Sequence, residues 1–163
     1  MAYDALVERK LDLPRSKVFA AFYDFGGVDK LLPEMIGSCD CIGAGVGALR
    51  TIKMADGSGT VVERMEIAHE ESIFAYTITA NDALPMENYC ATVMLSDTGD
   101  GGTNVSYGSN WDPKGIEEDE MRTMLEDLYG AILDEAFRLR IPVAAHIPRG
   151  FAFERYLRPG LTS

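Results

Sequence analysis

The sequence predicts an α+β domain in which a curved antiparallel sheet of consecutive strands is closed by one long helix near the C-terminus. Two patterns carry this. Between Ile36 and Trp111, runs of four to ten strand-like residues are separated by clusters of Gly, Asp, Asn or Pro. None of those clusters is long enough for a crossover helix, so neighbouring strands pair antiparallel. After Trp111-Asp112-Pro113-Lys114-Gly115 the period changes, and Met121, Met124, Leu125, Leu128, Ile132 and Phe137 fall at helical spacing.

Each element follows in order. Residues Tyr3 to Leu11 alternate polar and apolar side chains, a first strand that ends before Pro14. Pro14 suits the first turn of a helix whose apolar face is Val18, Phe19, Phe22 and Tyr23, and Gly26-Gly27 stops it. A second short helix, Val28 to Leu32, runs into Pro33. The turns between the later strands fall at Gly43 to Gly47, Asp56 to Gly59, His69 to Glu71, Asn81 to Pro85 and Asp97 to Gly102. The long helix spans about Ile116 to Arg140, roughly 37 Å at 1.5 Å per residue. Glu117, Glu118, Asp119 and Glu120 open it and Arg138 and Arg140 close it, which complements a helix dipole.

Bulk properties narrow the function. A chain of 163 residues, 47% hydrophobic and 25% charged, suits one globular domain without a metal or disulfide staple. The net charge of −11 repels phosphates and argues against a nucleic-acid partner. Met1-Ala2-Tyr3-Asp4 has neither a basic leader nor an apolar run, and no later stretch is apolar for long enough to cross a membrane, so a cytoplasmic protein is expected. Three cysteines make no disulfide framework, and Cys39 and Cys41 are expected as buried, reduced thiols. His69 sits in a turn beside Glu70 and Glu71, and His146 lies in the C-terminal segment, so neither makes a plausible triad or zinc site. Gly43-Ala44-Gly45-Val46-Gly47 precedes a strand, not a helix, and cradles no phosphate. No metal and no cofactor is expected.

Phe22-Tyr23-Asp24-Phe25-Gly26-Gly27, Gly45-Val46-Gly47-Ala48-Leu49-Arg50, Val62-Glu63-Arg64-Met65-Glu66, Leu84-Pro85-Met86-Glu87-Asn88-Tyr89 and Trp111-Asp112-Pro113 occur in an order that resembles the SRPBCC superfamily of START-like proteins, in its bacterial polyketide cyclase/dehydrase-like branch. The resemblance implies a helix-grip fold: seven antiparallel strands wrapped around the C-terminal helix, with two short helices after the first strand. It covers residues 3 to 140 and divides the chain into a ligand-binding domain, 1–140, and a C-terminal extension, 141–163. That extension carries Phe151, Phe153 and Tyr156, so it is expected to pack on the body or on a second subunit as a homodimer.

The segments also resemble, more distantly, the plant abscisic-acid receptors, whose cavity is closed by two loops that align with Asp56 to Gly59 and Ala83 to Tyr89. This chain lacks the receptors' Leu-Pro and His-Arg pairs in those loops and has Gly37 in place of their lysine, which argues against hormone sensing. The alignment implies that Glu63, Tyr76, Ile78, Leu84, Pro85, Tyr89, Ser106, Asn110, Met124, Leu128 and Ile132 line a cavity.

The hairpin turning at Asp56 to Gly59 predicts the pairs Met54 with Val61, Ile52 with Glu63 and Arg50 with Met65, all on one inward face. Ile52, Met54 and Val61 make that face apolar. An enclosed Glu63 serves either as a general acid or base, with Tyr89 as polar partner and Arg50 setting its charge, or as half of a structural Arg50–Glu63 pair. Two functions follow: an enzyme performing metal-free lyase, dehydratase, cyclase or isomerase chemistry on an aromatic or polyketide-like molecule, or a carrier that binds such a molecule unchanged.

Overall fold

The structure, a computed structural model, describes residues 2–138, with side chains through residue 135. The extension 141–163, with His146, lies outside the described residues. Strand β1 (Ala5–Leu11) leads through helix α1 (Arg15–Tyr23), a 3-10 turn (Phe25–Gly27) and helix α2 (Val28–Leu31) into β2 (Ile36–Ile42). Strands β3 (Leu49–Met54), β4 (Thr60–His69), β5 (Ile73–Asn81), β6 (Met86–Asp97) and β7 (Thr103–Pro113) follow, and α3 (Glu118–Arg138) completes the helix-grip arrangement. The sheet order is β1-β7-β6-β5-β4-β3-β2 and every pairing is antiparallel.

Side chains alternate across each strand, and one set faces α3. Val61, Glu63 and Met65 on β4, Phe74 and Tyr76 on β5, Ala91, Val93 and Leu95 on β6, and Val105, Tyr107, Ser109 and Trp111 on β7 are buried. Helix α3 presents Met121, Met124, Leu125, Tyr129, Ile132 and Leu133, all buried, at helical spacing. Its polar side fastens β1: Arg122 donates to the Asp4 carbonyl (2.7 Å), Glu126 accepts the Leu6 N–H (3.2 Å), and Arg9 reaches the Gly130 carbonyl and Asp134. One edge strand thereby spends part of its free backbone on the helix.

The β3–β4 register differs from the sequence expectation by two residues. Ile52 pairs with Val61 and Arg50 with Glu63. Gly57 takes a left-handed φ of +75°, and the Asp56 carboxylate accepts the Ser58 N–H, so the turn centres one residue earlier than expected. A two-residue shift preserves parity, which is why Arg50, Ile52, Met54, Val61, Glu63 and Met65 still share the inner face.

Burial of the cysteines is a second correction: Cys41 and Cys90 are exposed and Cys39 is half-buried, because β2 is an edge strand and Cys90 lies on the outer side of β6. Among the described residues no helix is long and apolar enough to cross a membrane.

Leu125, on the α3 stripe, is 1% exposed in the middle of the core. Leu125→Ala leaves a cavity there and is expected to lower the unfolding free energy by about 2–5 kcal/mol, read as a fall in the urea midpoint with an unchanged slope.

Candidate ligand site

The inner face holds an ion pair and a chain of hydroxyls. The two strands of the β3–β4 hairpin bring Arg50 and Glu63 opposite each other, and Arg50 Nε donates to Glu63 Oε2 at 2.5 Å with both side chains less than a tenth exposed. Arg50 Nη1 donates to the Phe25 carbonyl (3.1 Å), and the guanidinium carbon lies 4.1 Å from the centre of the Phe25 ring and 5.2 Å from that of Tyr76. Burial pulls the Arg50 guanidinium down, but the Glu63 carboxylate together with the nearby Tyr76 and Tyr107 hydroxyls more than offsets it, and the net direction is up. Glu63 is thus half of a buried ion pair with Arg50.

Next to that pair, Tyr107, Tyr76, Tyr89, Tyr129 and Ser109 form a line of hydroxyls, at 2.6, 3.3, 2.7 and 2.5 Å in turn. The last bond runs from Tyr129 to Ser109 Oγ. Each hydroxyl carries a single proton, so the direction propagates: Tyr89 donates to Tyr129, Tyr76 to Tyr89 and Tyr107 to Tyr76. The proton left over is that of Ser109. Burial holds Tyr76, Tyr89, Tyr107 and Tyr129 above the usual phenol range.

These side chains fill most of the interior that the sequence suggested would be open. Among them lies a cavity of about 20 Å³ bordered by Phe22, Arg50, Phe74, Tyr76, Tyr107 and Ile132, among others. That is room for about one water.

The larger space is at the rim. Strands β5 and β6 pair only from Ile73–Thr77 against Cys90–Met94, and beyond that point they part. Between their splayed ends lies an open groove of about 500 Å³ with Ile78, Leu84, Met86 and Tyr89 as its apolar wall and Thr79, Asn81, Asp82, Glu87, Asn88 and Lys114 as its polar lining. The splay coincides with a bulge in β6: the β6–β7 register slips between Glu87 and Cys90, where Asn88 adopts a left-handed φ of +53° and donates to Asp112 Oδ2 (2.6 Å). Asn81 shapes the connecting loop, its carboxamide bonding the Leu84 and Met86 carbonyls and the Ala83 and Leu84 N–H groups.

The structure thus distributes the expected residues. Ile78, Leu84 and Tyr89 border the groove, and Tyr76, Arg50 and Ile132 border the small inner cavity. Ile52, Met54 and Val61 are buried in a separate apolar cluster. Met124 and the half-buried Leu128 belong to the main core, and half-buried Pro85 sits in the rim loop, where its carbonyl accepts the Lys114 N–H. Ser106 and Asn110 do not face the interior. They occupy the outer side of β7, where Asn110 donates to Asp4 Oδ2 (3.1 Å) and the Ala2 carbonyl (3.2 Å). Tyr107, Ser109 and Tyr129 take the inner polar positions, and the signal for the first two was the period-two run Val105-Tyr107-Ser109-Trp111.

Comparison with known proteins agrees with this fold. The model of the family described as polyketide cyclase / dehydrase and lipid transport matches residues 5–136. The protein XoxI of Bacillus cereus has a similar structure, with a TM-score of 0.72, 21% identity, and coverage of 90% of this chain and 100% of that one. An uncharacterized protein of Bacillus thuringiensis is similar at a TM-score of 0.70 and 20% identity, over 83% and 96% of the two chains. Norcoclaurine synthase of Thalictrum flavum, in complex with dopamine and hydroxybenzaldehyde, is similar at a TM-score of 0.68 and 16% identity, over 86% and 87%. No curated protein matches the chain in sequence.

Two outcomes follow from the buried polar groups. Glu63→Gln leaves Arg50 without a buried counter-charge and is expected to cost about 3–5 kcal/mol of stability in chemical denaturation. In an alkaline titration, the four inner tyrosines stay protonated in the folded protein after unfolded tyrosines would have ionised near pH 10. The folded state then holds more protons than the unfolded one, so stability declines as pH rises above that value. Near-ultraviolet phenolate absorbance of those four is expected to develop late, together with loss of structure.

Proposed function

Since the chain belongs to the polyketide cyclase / dehydrase and lipid transport family, whose fold binds hydrophobic ligands, we propose that it holds an aromatic or polyketide-like molecule in the groove between the splayed ends of β5 and β6 and carries out metal-free acid/base chemistry on it. The observation that carries this reading is the groove itself. Its volume of about 500 Å³ lies within the range of small-molecule pockets, and its apolar wall of Ile78, Leu84, Met86 and Tyr89 can bury one face of a ligand while the more extensive polar lining fixes its orientation. The aromatic ligands named for norcoclaurine synthase support the ligand class.

In this reading Tyr89 is the residue through which the groove meets the interior, since it borders the groove while its hydroxyl belongs to the inner chain. A proton given up at Tyr89 is replaced through the hydroxyl line from Tyr76 and Tyr107, and the Tyr76 ring lies against the guanidinium of the Arg50–Glu63 pair. Glu63 lies opposite Ile78 in the sheet, one residue from the groove wall, and acts as acid/base with Arg50 setting its charge. Lyase, dehydratase, cyclase and isomerase reactions all need such proton movement away from bulk water. The filled interior and the engagement of Glu63 by Arg50 favour a second reading, a carrier that performs no reaction.

Leu84→Arg places a charge on the apolar wall and is expected to weaken 2-naphthol binding at least tenfold in equilibrium dialysis, with an unchanged circular dichroism spectrum. Undiminished binding would remove the groove from consideration. For candidate substrates, Tyr89→Phe is expected to abolish turnover while holding affinity within about threefold. Turnover that persists in Tyr89→Phe overturns the proton path, and a parent protein that binds without product formation is a carrier.

A further inference from the structure

Trp111, the only tryptophan of the chain, lies on the inner face of β7 and is 6% exposed. Its indole Nε1 is the one buried side-chain polar atom without a hydrogen-bond partner among the described residues. An indole nitrogen is a donor only, and a buried donor without an acceptor is costly, so native structures rarely keep one. Most buried indole N–H groups find a partner.

The position of Trp111 suggests what the partner is. Register pairs Cys90 with Asn110 and Glu87 with Asp112, so Trp111 stands across from the bulged Asn88–Tyr89 stretch that forms one wall of the groove. Met86 and Tyr89, on the apolar wall, belong to the same core cluster as Trp111. Met86 is the pliable member of that wall, since a thioether side chain changes shape readily. Two residues along the same face, Ser109 holds the leftover proton of the hydroxyl chain. The inner face of β7 therefore carries two adjacent side-chain donors, about 7 Å apart along the strand, behind a groove whose rim includes Asp82 and Glu87, the latter paired with Lys114.

We infer that Trp111 Nε1 is a ligand-binding donor, which accommodates the uncharged acceptor oxygen of an aromatic ketone or ester that enters past Met86. An apolar interior disfavours an anion there, because burying an unpaired charge costs far more than burying a carbonyl. This rests on the groove being the ligand site, and deepens that reading by naming the functional group the ligand presents.

The probes are 9-fluorenone and fluorene, two molecules of nearly the same shape, of which only the first carries an acceptor. In equilibrium dialysis the parent protein is expected to bind fluorenone about three- to tenfold tighter, the worth of one net hydrogen bond. Trp111→Phe is expected to erase that preference, read as the ratio of the two affinities, because the donor is lost while an aromatic ring remains. In the parent, which needs no substitution to fold, the carbonyl stretch of bound fluorenone is expected to fall below its position in hexane. Equal binding of the two probes to the parent, a preference that survives in Trp111→Phe, or an unshifted carbonyl band each overturns the assignment to Trp111 while leaving the groove intact. Failure of both probes to bind the parent overturns the groove reading and this one with it.

Discussion

The buried Arg50–Glu63 pair is the constraint around which the inner face is organised. It joins β3 to β4 by an ion pair, reaches back to the 3-10 turn through the Phe25 carbonyl, and sets its guanidinium against the rings of Phe25 and Tyr76. Four elements thus converge on one cation. Such a pair contributes little net stability over an apolar replacement, because desolvation offsets the Coulomb gain, but it is costly to break. Its effect is specificity: any register of β3 on β4 that moved either residue to the outer face would strand the other.

Much of the architecture was legible because period and turn chemistry are local. Alternation in β1 and the 3.6 period of α3 each follow from side-chain direction, and Gly-rich and Asp-rich turns punctuate the sheet. What failed was the choice between turns differing by one residue. Asp56-Gly57-Ser58-Gly59 offers two glycines, and only the backbone shows that Gly57 takes the left-handed position inside the turn. The two-residue slip was harmless because it conserved parity.

The site was less legible, for a different reason. Glu63 and Arg50 could be placed on an inward face from the strands alone, whereas Tyr89, Ser106 and Asn110 came from a distant alignment, and the last two fall on the outer side of β7. The alternation Val105-Tyr107-Ser109-Trp111 held the better answer. Neither the filling of the interior by tyrosines nor the parting of β5 from β6 is local, since each depends on how strands distant in sequence meet. The single local trace is Asn88, a residue type that tolerates the left-handed conformation its bulge demands.

The loop at the groove's lip is knotted mainly to itself. One carboxamide, that of Asn81, makes four hydrogen bonds within Ala83 to Met86, and the body holds the loop through Thr60 and Lys114. Shape and surface character are therefore assigned to different groups: Asn81 dictates the path of the chain, while the side chain of Leu84, which borders the groove, has no part in those hydrogen bonds. An exchange of that side chain can rewrite the wall without redrawing the loop, so the groove can change character by a single step while its framework stays still.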